Sequence, residues 1–181
     1  MQQFLPNGST LIIRRPTLED APALLEIFRQ MTRESDFLLY THAEAMKFGL
    51  RDEEDFIRQY LLQPRHLLLL AEANGQIVGS ITINQGRQQK QAHLGELGIA
   101  VLRDWWNMGI GRRLMTAALR WVEEHAEIEI VHFSVFANNE KAIQLYRNFG
   151  FLECGRMPQG VKGTDGQFID LITMSKRIKN F

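Results

Sequence analysis

The sequence predicts an α/β fold built on a mixed sheet, and three observations carry that prediction. Apolar periodicity and turn residues give the element order β-α-α-β-β-β-α-β-α-β-β. Asn74-Gly75 joins two apolar runs as a tight antiparallel hairpin. From residue 94 onward a strand, a helix, a second strand and a second helix follow one another, which implies a parallel crossover. The 181 residues fit one domain, 1–181, large enough to bury a sizeable core. No repeat, low-complexity stretch or linker interrupts them.

The elements follow in order. Leu11–Arg14 reads as a first strand. Thr17 and Asp20 are cap-type residues, and Pro22 is tolerated in a first helical turn. Leu24, Ile27, Phe28 and Met31 then recur at three and four, the spacing of an amphipathic helix. Ser35–Leu50 reads as a loop with a short helix. A helix starting near Asp52 presents Phe56, Ile57, Tyr60 and Leu61 and stops before Pro64. Leu67–Ala73 and Ile77–Ile83 are the hairpin strands, and Leu94–Val101 is the next strand. A helix runs from Gly109 to about Ala126, with Ile110, Leu114, Ala118, Trp121 and Val122 on one face. The strand Ile128–Val135 and the helix Asn139–Phe149 follow. Phe151–Met157 and Phe168–Ser175 close the chain as strands, joined by a loop containing Gly160, Gly163 and Gly166.

Composition narrows the function classes. The 21 basic and 21 acidic residues cancel, which argues against a general nucleic-acid or membrane-surface binder. One cysteine, Cys154, cannot form an internal disulfide, so a reducing compartment is the simpler reading. The start MQQFLPNGST lacks the charge-then-apolar pattern of a signal peptide, and the longest apolar run, Leu67–Ala71, is far short of a membrane span. A cytoplasmic location follows as an expectation. The five histidines show no ligand spacing, so no metal site is expected.

The segment Val101–Leu114 carries the chemical signal. Gly109 and Gly111 sit where a strand gives way to a helix, although glycine costs about 1 kcal/mol against alanine inside a helix. Bare backbone lets a ligand approach the free N–H groups of the first turn, and the helix dipole with Arg112 and Arg113 adds positive charge. Together these suit a pyrophosphate. A tight strand–helix turn would need the same glycines. The dinucleotide pattern G-x-G-x-x-G is incomplete, because position 114 is Leu, and the P-loop pattern is absent.

A second segment, Phe133–Phe151, follows at a suitable distance. With the glycine loop it closely resembles the GCN5-related N-acetyltransferase (GNAT) superfamily. That family's loop reads (Gln/Arg)-x-x-Gly-x-(Gly/Ala), followed later by Asn-x-x-Ala, Leu-Tyr and Gly-Phe. Here those are Gly109 and Gly111, Asn139 and Ala142, Leu145-Tyr146, and Gly150-Phe151. Arg14–Thr17 through Asp20-Ala21 resembles the family's first strand and helix, so the likeness spans the chain. One departure is Trp106, where the family carries Gln or Arg.

The resemblance implies the acyl-CoA N-acyltransferase fold, a mixed, mostly antiparallel central sheet with helices on both faces. It implies acetyl-CoA as co-substrate and direct transfer of the acetyl group to a primary amine of a small molecule or a peptide N-terminus. Residue by residue, the cofactor positions are Ile99 and Val101, whose backbone pairs with the pantetheine arm, then Met108, Gly109, Ile110, Gly111, Arg112 and Arg113, and Asn139 with Tyr146. The implied general acid is Tyr146, whose phenol would protonate the departing thiolate; a core tyrosine fits its spacing as well. Glu96 is the candidate base, with a pKa raised by its neighbours Leu94, Leu97 and Ile99, and a water chain is the alternative. Phe37 and Tyr40, with Glu96, are the acceptor-side candidates within the variable stretch Thr32–Tyr60. Asn139 reads as a helix cap too, with Asn138 one residue away. Many relatives are dimers, so a homodimer stays open. A catalytically silent CoA-binding sensor or interaction module and a dinucleotide-binding enzyme are the competing functions.

Overall fold

The computed structural model describes residues 3–179. Among them the strands are β1 (Gln3–Phe4), β2 (Thr10–Arg14), β3 (His66–Ala73), β4 (Gln76–Gln85), β5 (Leu94–Val101), β6 (Ile130–Phe136), β7 (Leu152–Lys162) and β8 (Phe168–Arg177). The helices are α1 (Ala21–Glu34), α2 (His42–Ala45), α3 (Leu50–Leu62), α4 (Ile110–Glu124) and α5 (Glu140–Asn148). The strands are hydrogen-bonded in the order β1-β2-β3-β4-β5-β6-β8-β7. β5 and β6 run parallel, the expected crossover through α4. The β1–β2, β2–β3, β3–β4, β6–β8 and β7–β8 pairs are antiparallel. The fold is therefore the mixed, mostly antiparallel α/β class that the sequence predicts.

The chain falls into two compact units. The first holds the chain up to Asn84 together with Gly98–Trp121; the second holds Gln85–Leu97 and the chain from Val122 onward. In the first unit, the hairpin turns at Asn74 and Gly75, with φ of 49° and 80°, the left-handed values that the Asn-Gly pair predicts. α1 buries Leu24, Ile27 and Met31, and α3 buries Ile57 and Tyr60, against Leu68, Leu70, Ile77 and Leu102. Burial of each such side chain is worth about 1.5–3 kcal/mol. The α3 face differs from expectation, because Phe56 and Leu61 are exposed. The buried positions Glu53, Ile57 and Tyr60 recur at four and three, one stripe of a helix, and Phe56 and Leu61 lie off it. On β3, Leu67 and Ala71 are buried as completely as Leu68 and Leu70 on the other pleat, so both faces of this strand are covered. Arg14 knits the entry of α1 to the sheet: its guanidinium grips both oxygens of Asp20 and one of Glu72, at 2.6–2.8 Å. That cation holds the Asp20 carboxyl below the usual carboxylate range.

In the second unit, β6 and β8 carry Val131, Phe133, Val135, Ile172 and Met174 into the core, joined by Ile143 and Tyr146 of α5 and by Phe151. β7 is an edge strand, exposed from Leu152 to Gln159. It extends five residues beyond the predicted Met157, through Pro158 and a register shift between Met157 and Val161. Gly160 thus belongs to the strand rather than the loop. A Cβ there would lie 3.1 Å from Leu171, so the missing side chain is what lets β7 close on β8. Pro158 and the irregular register break up the outer edge, a device against unwanted strand pairing. Gly163 to Gln167 remains as the connecting turn.

Candidate functional site

Along β5 the register places alternate residues on opposite pleats. Gly95 and Leu97 are buried, and Glu96 points outward and is exposed. The apolar enclosure expected around Glu96 is absent. Leu97 lies on the opposite pleat, and Gly98, two residues on and on the same pleat, has no side chain to cover it. The parallel ladder with β6 pairs Leu94 with Ile130, Gly95 with Val131 and Glu96 with His132; β5 then continues for five residues, through the half-buried Ile99 to Val101.

Beyond β5 the chain makes a short 3-10 turn over Arg103–Trp105 and enters α4. Trp106, at the departure from the family pattern, donates its indole N–H to the Val101 carbonyl at 2.7 Å, and the Arg103 guanidinium lies over the same ring. The indole therefore satisfies one backbone acceptor at the end of β5. Asn107 and Gly109 both adopt left-handed backbone, φ 63° and 78°. Alternation of left- and right-handed residues turns successive N–H groups to one side and forms an anion-binding concavity. The Gly109 carbonyl accepts the N–H of Arg113 at 3.2 Å, so α4 is wound from this residue, and its first N–H groups have no carbonyl a turn earlier to bond. Ile110 is fully buried, which leaves only its backbone for a ligand. Asn107 opens the binding loop Asn107–Arg113 that the sequence indicates but has no role among the motif positions; its signal is residue type, because Asn tolerates left-handed backbone better than other side-chain-bearing residues.

The two arginines of the loop separate. Arg112 is exposed. Arg113 is half-buried and bonded three ways: Nε donates to the Gln3 side chain at 2.7 Å, and its terminal nitrogens donate to the carbonyls of Phe4 and Met108 at 3.2 and 3.3 Å. It ties β1 to the glycine loop. A side chain on Gly109 would also meet Arg113, its Cβ lying 2.6 Å from a guanidinium nitrogen.

In the second unit, α5 is capped by Asn139, not Asn138: the Asn139 side-chain oxygen accepts the Ala142 N–H at 3.2 Å. This explains the Asn-x-x-Ala spacing in terms of capping geometry. The Gly-Phe pair at the other end is equally legible. Gly150 takes φ 82°, its N–H donates to the Arg147 carbonyl, and the Phe151 N–H donates to that of Tyr146. This is the Schellman motif, which folds Phe151 back onto the helix. Phe151 is fully buried with ring centroids 5.1 Å from Phe133 and 6.4 Å from Tyr146. Phe133 and Tyr146 lie 4.3 Å apart. Burial in this cluster pushes the Tyr146 phenol up to about 12, so it stays protonated at neutral pH.

The acceptor-side candidates Phe37 and Tyr40 lie on the loop before α2. Phe37 is half-buried. Tyr40 is half exposed and joins Phe28 and Phe48 in a trio of edge-on rings with centroids 5.5–5.8 Å apart. Glu44 is occupied as a cap, accepting from the backbone and hydroxyl of Thr41 at 2.8 Å. Cys154 is an exposed free thiol on β7. Among the described residues, no group of three His, Cys, Asp or Glu side chains is placed to hold a metal, and no helix is long and apolar enough to cross a membrane.

Comparison with known proteins gives a consistent picture. A model of the acetyltransferase (GNAT) family matches residues 25–151. The L-amino acid N-acetyltransferase AaaT of Escherichia coli is 26% identical over 108 residues, 60% of this chain and 66% of that protein. The chain spans about half to two thirds of the length of the curated relatives it matches. The crystal structure of a GNAT-family acetyltransferase from Streptococcus pneumoniae superposes with a TM-score of 0.88 at 27% identity, over 92% of this chain and 99% of that one. The structure of yncA from Salmonella typhimurium, solved with its cofactor acetyl-CoA, shares the fold with a TM-score of 0.82 at 20% identity, over 94% and 95% of the two chains.

Proposed function

The chain belongs to the acetyltransferase (GNAT) family, and from that premise we propose that it is a single acetyl-CoA-dependent N-acetyltransferase domain acting on a primary amine of a small molecule or a peptide N-terminus. The observation that carries the reading is the loop before α4, with Asn107 and Gly109 left-handed at the start of a helix that lacks backbone partners for its first N–H groups. In this reading those N–H groups and Arg112 hold the pyrophosphate. Arg113 contributes by fixing the loop through Gln3, Phe4 and Met108. The backbone of Ile99 and the N–H of Val101, whose carbonyl Trp106 already engages, pair with the pantetheine arm as an added strand past the end of the β5–β6 ladder. The acetyl-CoA bound to yncA of Salmonella typhimurium, a protein of the same fold, supports the choice of cofactor.

The reaction is a direct displacement. The amine gives up a proton, its lone pair attacks the thioester carbonyl, the C–S bond breaks, and the thiolate sulfur takes a proton. Tyr146, held neutral by burial, supplies that proton. An aliphatic ammonium has an ordinary pKa near ~10.4, so at neutral pH a base must first remove its proton. Glu96 or water relayed by it fills that role. The exposure of Glu96 favours a second reading, a CoA-binding module without turnover. A cytoplasmic location is part of the proposal and rests on the single free thiol.

Calorimetric titration with acetyl-CoA, with NAD and ATP as controls, tests the reading. Selective binding of acetyl-CoA is expected; its absence would reduce the glycine loop to a turn. Turnover of any amine in a thiol-release assay separates the enzyme from the silent module.

A further inference from the structure

Glu53 lies on α3, inside the run Asp52-Glu53-Glu54-Asp55. Such a run at a helix start is ordinarily a solvated surface, favoured by the helix dipole. Its four carboxylates part ways here. Asp52 accepts the Gly49 N–H at 2.8 Å and caps the helix. Glu54 and Asp55 share Arg58, at 3.1 and 2.6 Å. Glu53 turns inward and is 9% exposed. Among the described residues no hydrogen bond or ion pair reaches its carboxylate.

A carboxylate without a protein partner on so enclosed a side chain is costly, because its surroundings replace only part of the water that the charge gives up. Burial, with the nearby Asp52 charge adding to it, pushes its pKa up to about 7. The cap and the helix cation are already served by its neighbours, so nothing in α3 needs the charge. Its position does point somewhere. Glu53, Ile57 and Tyr60 form one stripe of α3, and Ile57 and Tyr60 pack in the cluster that contains Leu102 and receives Ala100 and Trp105. These residues lead from β5 into the glycine loop.

We propose that Glu53 is the acceptor-binding carboxylate, its missing partner being an alkylammonium group of the substrate. The inference rests on the amine acetylation proposed above and names what that reading lacks, a built anionic receptor for a cationic acceptor. Glu96, exposed on β5, is not such a receptor. The substrate class is accordingly a protonated aliphatic amine; neutral arylamines and hydroxyl acceptors, which bring no cation, are disfavoured.

The test needs no knowledge of the natural acceptor. The melting temperature of the wild-type protein and of Glu53→Gln is measured above pH 8 with millimolar propylammonium chloride, and with equal sodium chloride as the ionic-strength control. The wild type should be raised by propylammonium and not by sodium. Glu53→Gln should melt higher than the wild type without ligand and be indifferent to propylammonium. Equal responses in the two proteins, or none in the wild type, would overturn the proposal. A lower melting temperature or loss of folding in Glu53→Gln would also overturn it, because the carboxylate would then be a structural element; Glu53→Asp, which keeps the charge, must in that case restore folding. With the amine that turns over best in an alkylamine and dipeptide panel, Glu53→Gln should raise the amine KM by about tenfold or more with the acetyl-CoA KM unchanged, a loss of about 1.4 kcal/mol in one substrate alone. Failure of acetyl-CoA binding with the propylammonium response intact would sink the acetyltransferase reading and leave the receptor standing; the converse would sink the receptor only.

Discussion

Replacement of Glu53 by Gln should make stability depend on pH in a defined way. The Glu53 carboxyl ionises at about 7 in the folded protein, against 4.5 ordinarily, because burial and then Asp52 disfavour its charge. Between those two values the folded state holds a proton that the unfolded state has released. Stability from this group is fully present below about pH 4.5 and is lost as pH rises through about 7. At about 1.4 kcal/mol per pH unit, the loss amounts to about 3 kcal/mol. Gln has nearly the same shape and no charge to desolvate. Glu53→Gln should therefore be close to neutral at pH 4 and stabilising by about 3 kcal/mol at pH 8.5. For a chain of this size that is roughly 6–12 °C in melting temperature. Urea denaturation followed by circular dichroism at the two pH values, on wild type and variant together, measures it, since other titrating groups cancel in the difference. An equal difference at both pH values would show that the Glu53 carboxylate is solvated or paired, and the desolvation argument would fail.

Three further outcomes follow from the site. Gly109→Val should abolish measurable acetyl-CoA binding by calorimetry, because a β-branched residue is strained at φ 78° and its Cβ would strike Arg113; retained affinity with the fold intact refutes the loop assignment. Tyr146→Phe should reduce kcat by roughly 10²-fold or more while acetyl-CoA affinity holds, as befits removal of a general acid; an unchanged kcat places the proton source elsewhere. Asn139→Ala should cost about 1 kcal/mol in urea denaturation through loss of the α5 cap, and a neutral result would mean that the cap bond at 3.2 Å contributes nothing net.

Local chemistry was enough to read much of this chain. The Asn74-Gly75 turn needs positive φ at two adjacent residues, so the hairpin was legible from two letters. β5 begins and ends where periodicity and flanking residues place it, at Leu94 and Val101. The Asn139 cap and the Gly150-Phe151 Schellman motif are likewise short-range devices, written within four or five residues. What the sequence left open depends on which face of an element is covered, and that is decided by residues far away in the chain. The anchoring of Arg113 on Gln3 and Phe4 joins segments more than a hundred residues apart. β7 runs past its predicted end because β8 pairs with it there. Two carboxylates exchange the environments that their neighbours in sequence suggest. Glu96, set among Leu94, Leu97 and Ile99, is exposed, because alternation turns Leu97 away and Gly98 covers nothing. Glu53, set in an acidic run, is buried, because the packing of α3 turns the stripe Glu53–Ile57–Tyr60 inward. The sequence by itself determined the elements and their turns, through local backbone and periodicity; only the tertiary structure decided which charges lose their water, since desolvation is a property of the packed surroundings and not of the residue.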